Sequence, residues 1–196
     1  MSLRMTEIES VLADEAVFNL DPSNLLSDFL GRDVSAPSLG VKGIHHWATY
    51  IGEYRHDTEL EEAVSAISER EGIGNVRWGP SHIAPHFYGV SGYWINLDNH
   101  GRQLEFFACR ETSSWMARPQ EERKRLMSHP GLEVDAPELV GPLLEFLAVL
   151  GHRTSSLHFE PMDQLGHTYG HLQRIDNGSV IELVHETQSG SLSVGW

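Results

Sequence analysis

Apolar residues change period several times along this chain, and the changes mark out its elements. Leu25, Leu26, Phe29 and Leu30 recur at helical spacing after Asp21-Pro22, and Gly31 ends the run. Asp as a cap with Pro at the first helical position is a start signal, and Gly a stop signal. A weaker helical pattern lies over Glu7–Phe18, and Val34–Gly43, with Pro37, Gly40 and Gly43, reads as a linker. From Ile44 to Ile51 the period becomes two, with Ile44, His46, Ala48 and Tyr50 on one face and His45, Trp47, Thr49 and Ile51 on the other. A helix capped by Asp57 or Thr58 follows, with Leu60, Ala63, Val64 and Ile67 as its apolar stripe and Gly72 and Gly74 beyond it. Three strands are then expected near Val76–Ile83, His86–Leu97 and Gln103–Cys109, separated by Pro85 and the turn Asp98-Asn99-His100-Gly101. The order is strand, helix, strand, strand, strand.

After Glu111–Met127, a connector with a short helix opened by Pro119, the same order returns. Ser128–Val134 reads as a strand. Glu138–Leu150 reads as a helix with Leu139, Leu143, Phe146, Leu147 and Leu150 inward, Pro142 being tolerated near its start. Strands follow near Thr154–Phe159, His167–Ile175 and Ser179–His185, the last two joined by Asp176-Asn177-Gly178. The Ser/Gly-rich tail Thr187–Trp196 is expected to be loose apart from a docked Trp196. The expected division is an N-terminal helical extension and linker over 1–43, a first module over 44–110, a connector over 111–127, a second module over 128–186 and a tail over 187–196.

The two modules also match residue for residue. His86-Phe87-Tyr88-Gly89, Leu97-Asp98-Asn99 and Leu104-Glu105-Phe106 answer to His167-Thr168-Tyr169-Gly170, Ile175-Asp176-Asn177 and Ile181-Glu182-Leu183. Upstream, the strand at His46 answers to the strand at His129. The separation is 83 residues at that His, 81 at His-x-Tyr-Gly, 78 at Asp-Asn and 77 at the Glu, as a duplicated unit with small loop changes would give.

Composition narrows the function. A net charge of −14 argues against nucleic acid or an anionic membrane as partner, because phosphate neutralisation needs clustered Lys and Arg. The basic run Arg123-Lys124-Arg125 follows Glu121-Glu122 and reads as a solvated helix face. No apolar run is long enough for a membrane span and no signal segment is visible, so a cytoplasmic protein is expected. The single cysteine, Cys109, fits that compartment and reads as a buried small hydrophobe. Twelve histidines in 196 residues invite a metal or acid–base reading.

Four residues recur at matched places: His46 and His129 on first strands, Glu105 and Glu182 on last strands. A Glu between apolar neighbours faces away from them, and so away from the core between sheet and helix. Two such sheets facing one another would gather two imidazoles and two carboxylates in one cleft, a donor set suited to Fe(II), Mn(II), Ni(II) or Zn(II). One such residue alone would ordinarily be solvent-facing or bonded to backbone; the metal reading rests on all four recurring together. His167, Tyr169 and His171 share a strand face, as His86 and Tyr88 do in the first module. The four-residue spacings His82/His86 and His167/His171 do not read as helical metal pairs, because Pro85 and Gly170 lie inside them. Nucleotide-binding glycine loops and a Gly-x-Ser-x-Gly elbow are absent.

The first-strand His-x-[Ala/Gly]-x-x-[Ile/Val] and last-strand [Leu/Ile]-Glu-[Phe/Leu] after an Asp-Asn turn resemble the vicinal oxygen chelate superfamily. That group includes glyoxalase I, methylmalonyl-CoA epimerase, bleomycin-binding proteins and type I extradiol dioxygenases. The resemblance covers about residues 44–186. It implies an α+β fold in which two βαβββ modules form an open cup-shaped mixed sheet around one divalent metal. It further implies His46, Glu105, His129 and Glu182 as ligands. Many relatives carry Asp-Pro before the Glu where this chain has Asp98-Asn99 and Asp176-Asn177. In the dioxygenase branch a His and a Tyr sit beside the metal; His158 or His167, with Tyr169, answer to them here, and His171 and His86 extend that set. The surplus of His and Tyr favours an Fe(II) extradiol dioxygenase acting on a small catechol-like diol. The fourth ligand, Glu105, favours a glyoxalase- or epimerase-type lyase or isomerase, and a metal-free drug-sequestering module is the third reading. A homodimer is the assembly expected if the chain associates.

Overall fold

A computed structural model describes residues 3, 5–13, 19–100, 102–151, 154–161, 163 and 166–187. The expected tail beyond Thr187, the docking of Trp196 and the end of the first helical pattern at 14–18 lie outside the described residues. The chain forms an α+β protein with open, mixed β-sheet, divided into two compact units. One comprises Met1–Leu20, Ile44–Gly131 and Asn177–Val180; the other comprises Asp21–Gly43, Leu132–Asp176 and Ile181–Trp196.

In the first unit, α1 (Met5–Ala13) precedes β1 (Val41–Tyr54), α3 (Asp57–Ser68), β2 (Ile73–Pro80), α4 (Ile83–Tyr88), β3 (Gly92–Asn99) and β4 (Arg102–Arg110). The helix α2 (Pro22–Leu30) comes between α1 and β1 in sequence and belongs to the second unit. Two short helices, α5 (Ser113–Met116) and α6 (Gln120–Met127), lead into β5 (His129–Val134). Strand order in this unit is β2-β3-β4-β1, with β1 parallel to β4 and the other pairs antiparallel. Leu104, Phe106 and Ala108 of β4 are buried in a core with Leu60, Ala63 and Ile67 of α3, while Phe107 and Cys109 point to the opposite face and join a second core with Trp115 and Met127. Leu3 and Ile8 are part of the α3-side core.

A bulge in β1 changes the face on which the end of the strand presents its side chains. Register against β4 shifts between Tyr50 and Gly52, where Gly52 takes φ 112°, a conformation open to glycine. The extra residue puts Tyr54 into the α3-side core with Ile51 and turns Glu53 to the face carrying Tyr50. Tyr50 Oη donates to Glu53 Oε1 at 2.8 Å, Trp115 Nε1 donates to Tyr50 Oη at 2.9 Å, and Arg123 Nε lies 2.8 Å from Glu53 Oε1. Arg123 is buried, which corrects the reading of 123–125 as a wholly solvated run; only Lys124 and Arg125 are exposed. An amphipathic period cannot reveal a buried Arg whose partner is brought round by a bulge.

In the second unit, α2 has Asp21 Oδ1 accepting from Ser23 N, Pro22 at its start and Gly31 in the left-handed region at its end, as the sequence predicts. Strands β5, β6 (Thr154–Glu160), β7 (His167–Arg174) and β8 (Val180–Glu186) have the order β5-β8-β7-β6, with β6 and β7 antiparallel. The helix α7 (Pro137–Leu150) buries Val140, Leu143, Leu144 and Leu147. Leu139 and Phe146, expected inward, are exposed. The helix is apolar on nearly every side, so its period could not choose between stripes.

Two further expectations are corrected in the first unit. The strand expected from His86 begins only at Gly92, because 83–88 form α4, closed by Gly89 with φ 65°. Pro85 lies in the first turn of that helix, where its missing N–H has no helical partner to lose. His82 and His86 therefore flank one helical turn after all.

Candidate metal centre

The first unit assembles three of the four expected ligands on one sheet face. Alternation along β1 puts His46 on the face of Ala48 and Tyr50, and in the β1–β4 register Ala48 lies opposite Glu105. Flanking Leu104 and Phe106 are fully buried on the α3 side, which leaves the Glu105 carboxylate on the other face beside His46. His46 Nε2 and Glu105 Oε2 are 3.6 Å apart. His129 opens β5, with its ring centroid 5.9 Å from that of His46 and 5.9 Å from that of Phe107. Ligand atoms of His46, Glu105 and His129 all lie within 4.8 Å of one another. Both histidines are buried, and the Glu105 side chain is only 15% exposed.

A divalent cation fits these residues. Two imidazoles and a carboxylate within coordination reach form a borderline N/O donor set. Gly131 supplies the space: a Cβ at that position would lie 2.5–2.6 Å from both ring nitrogens of His46, so only glycine lets the imidazole lie there.

In the second unit Glu182 is buried on β8, with Ile181 and Leu183 buried on either side. Its Oε2 lies 3.4 Å from Nε2 of His171, which is also buried. The β6–β7 register sets His158 opposite His171, and Tyr169 completes a ring cluster with centroid separations of 5.8 Å to His158 and 5.6 Å to His171. Sequence-expected His158, Tyr169 and His171 thus come together, with His171 beside Glu182. His167 begins the same strand with a different partner: its backbone N donates to Asp163 Oδ1, and its Nδ1 lies 3.6 Å from Asp163 Oδ2.

His86 does not join the donors of its unit. It sits exposed at the end of α4 with its ring edge-on to Phe87. The two His-x-Tyr-Gly stretches are therefore alike in letters but not in structure, one closing a helix and the other running along a strand. Their glycines do different work too. Gly89 supplies a positive φ, whereas Gly170 makes room for Leu144 of α7.

Two neighbours of the expected residues escape sequence reasoning. Asp163 lies between β6 and β7, where no periodic signal marks it. Strand alternation assigns His45 to the face opposite His46, and so away from the candidate ligands.

No protein-family model matches the chain, and no curated protein matches it significantly. Among solved structures it is similar to methylmalonyl-CoA epimerase from Mycobacterium tuberculosis, with 15% identity and a TM-score of 0.48 over 76% of this chain and 90% of that one. A hypothetical protein from Bacillus halodurans matches with 13% identity and a TM-score of 0.40 over 76% and 96% of the two chains. A glyoxalase/bleomycin resistance/dioxygenase family enzyme from Burkholderia phytofirmans matches with 12% identity and a TM-score of 0.29 over 70% and 97%. No helix among the described residues is long and apolar enough to cross a membrane.

Proposed function

We propose that this chain is a divalent-metal enzyme of the vicinal oxygen chelate type, and that it opens the ring of a small catechol-like diol as an Fe(II) extradiol dioxygenase. The observation that carries the metal reading is the convergence of His46, Glu105 and His129 in the first unit. Glu182 is proposed as the fourth ligand, supported by its repeat-matched place and its burial between apolar neighbours. Bound there, the metal would supply Lewis acidity toward the two vicinal oxygens of substrate and a site for O2.

The chain's own part in the reaction is proton handling. A catechol hydroxyl must lose its proton before ring opening, and a neutral imidazole within reach can take it. His158, Tyr169 and His171 are the groups proposed for that work, with Tyr169 Oη orienting substrate by hydrogen bonding. His167, paired with Asp163, is proposed as a further proton carrier. The alternative reading, a glyoxalase- or epimerase-type lyase or isomerase, is favoured by one observation: Glu105 is a second carboxylate beside His46, able to abstract a proton next to a polarised carbonyl.

Elemental analysis of the purified protein tests the common ground, and a metal-free protein that refuses reconstitution would leave only a binding module. Oxygen uptake with a yellow product from 2,3-dihydroxybiphenyl under Fe(II) supports the dioxygenase. No uptake across a catechol panel, with hemithioacetal isomerised instead, would replace it with the alternative. Glu182→Ala should lose the metal, whereas Tyr169→Phe should keep it and turn over more slowly.

A further inference from the structure

Adjacent residues on a strand normally point to opposite faces, and their side chains do not meet. His45 and His46 depart from this. Their Nδ1 atoms are 3.0 Å apart and their rings stand edge to face, with centroids 5.3 Å apart. Two imidazole nitrogens at hydrogen-bond distance need one N–H and one lone pair, so the tautomers of the two rings are coupled. If His46 carries its proton on Nδ1 and donates to His45, its Nε2 keeps a lone pair. That same Nε2 is the atom 3.6 Å from Glu105, on the side where the candidate ligands gather. In the opposite arrangement His46 Nε2 holds the proton and cannot ligate a cation.

We propose that His45 is a positioning residue for the metal site: its Nδ1 accepts from His46 Nδ1–H, fixing the tautomer and ring orientation in which His46 Nε2 ligates. The inference rests on the metal reading above. A hydrogen bond to the far nitrogen of a ligating imidazole orients the ring and raises its basicity, and losing such a partner weakens metal binding about 10- to 100-fold. Gly131 and His45 then act from two sides on one ring, the first by leaving space and the second by supplying an acceptor.

The test uses the full chain stripped by chelator and titrated with Co(II), with affinity read from visible absorption and competition against a fluorescent chelator. His45→Ala should raise the Co(II) Kd about 10- to 100-fold. His45→Asn, which restores a side-chain acceptor, should recover part of the loss, and His45→Phe, which keeps bulk but accepts nothing, should not. Unfolding midpoints of the stripped variants show that each has folded. In Zn(II)-loaded protein labelled with nitrogen-15 at histidine, His46 should be protonated at Nδ1 and ligated through Nε2. A His45→Ala affinity within threefold of wild type, His45→Phe equal to His45→Asn, or ligation through Nδ1 would each overturn the proposal while the metal reading stands. Wild type that takes up neither Co(II) nor Zn(II) would overturn both.

Discussion

Replacing Arg123 by Met should destabilise the protein severely, and the size of the loss follows from what stays behind. Glu53 and Arg123 are 5% and 7% exposed, and the guanidinium Nε lies 2.8 Å from Glu53 Oε1. Arg123 Nη1 also donates to the carbonyls of Arg118, at 2.6 Å, and Met116, at 3.3 Å. In Arg123→Met the Glu53 carboxylate would remain in the interior with Tyr50 Oη as its donor and no cation beside it. Removing one partner of a buried ion pair costs about 3–5 kcal/mol. For a chain of this length that corresponds to a midpoint lowered by roughly 6–20 °C. The pair itself is a weaker source of net stability than that number suggests, because burying both charges has its own desolvation cost. Glu53→Gln combined with Arg123→Met should therefore recover at least half of the single-variant loss, since the amide oxygen still accepts from Tyr50. Urea unfolding followed by tryptophan fluorescence and far-ultraviolet circular dichroism measures both variants. An Arg123→Met protein within about 1 kcal/mol of wild type, or a double variant no better than the single one, would refute a buried, mutually compensated pair.

Three other outcomes are expected. Gly131→Ala should displace the His46 ring, weakening Co(II) binding at least roughly tenfold and lowering stability by about 1–3 kcal/mol; unchanged binding by chelator competition would contradict the close approach. Gly170→Ala puts a Cβ 2.8 Å from the His158 carbonyl oxygen and into overlap with Leu144, and should cost about 1–3 kcal/mol in urea unfolding without touching metal uptake. Burial, with a smaller push from Glu53, holds the Cys109 thiol well above its ordinary range. The folded state therefore keeps a proton that the unfolded chain releases above about pH 8.5, so the stability this thiol contributes is complete below that pH and is progressively lost above it. Cys109→Ala should flatten the stability profile between about pH 8.5 and 10, and parallel profiles for variant and wild type would contradict this.

How much of the structure is legible in the sequence depends on how local the cause is. The side on which Glu105 lies follows from alternation, because Leu104 and Phe106 are apolar and β4 has no bulge there. The caps of α2 follow from Asp21-Pro22 and Gly31 for a similarly local reason. The bulge at Gly52 reverses the parity of Glu53, and nothing local announces its ion pair with a residue seventy positions away. His86-Phe87-Tyr88-Gly89 misleads because Pro85 reads as a helix breaker when it stands at a helix start. Alternation along β1 puts His45 and His46 on opposite faces and so does not announce that their Nδ1 atoms lie 3.0 Å apart.

The route of the chain between its two units bears on how it is made. Residues 21–43 are synthesised early but belong to the second unit, whose next residues begin only at Leu132. The first unit in turn draws on Asn177–Val180, where the Asn177 carbonyl accepts from Arg125 Nε at 3.0 Å. A nascent chain emerging from the ribosome thus cannot finish either unit from one contiguous stretch, and both must wait for sequence-distant partners before closing. The metal ligands of the first unit are complete by His129, well before that closure. A truncation series released at successive lengths should accordingly show protease resistance rising late, beyond residue 180, instead of in two steps.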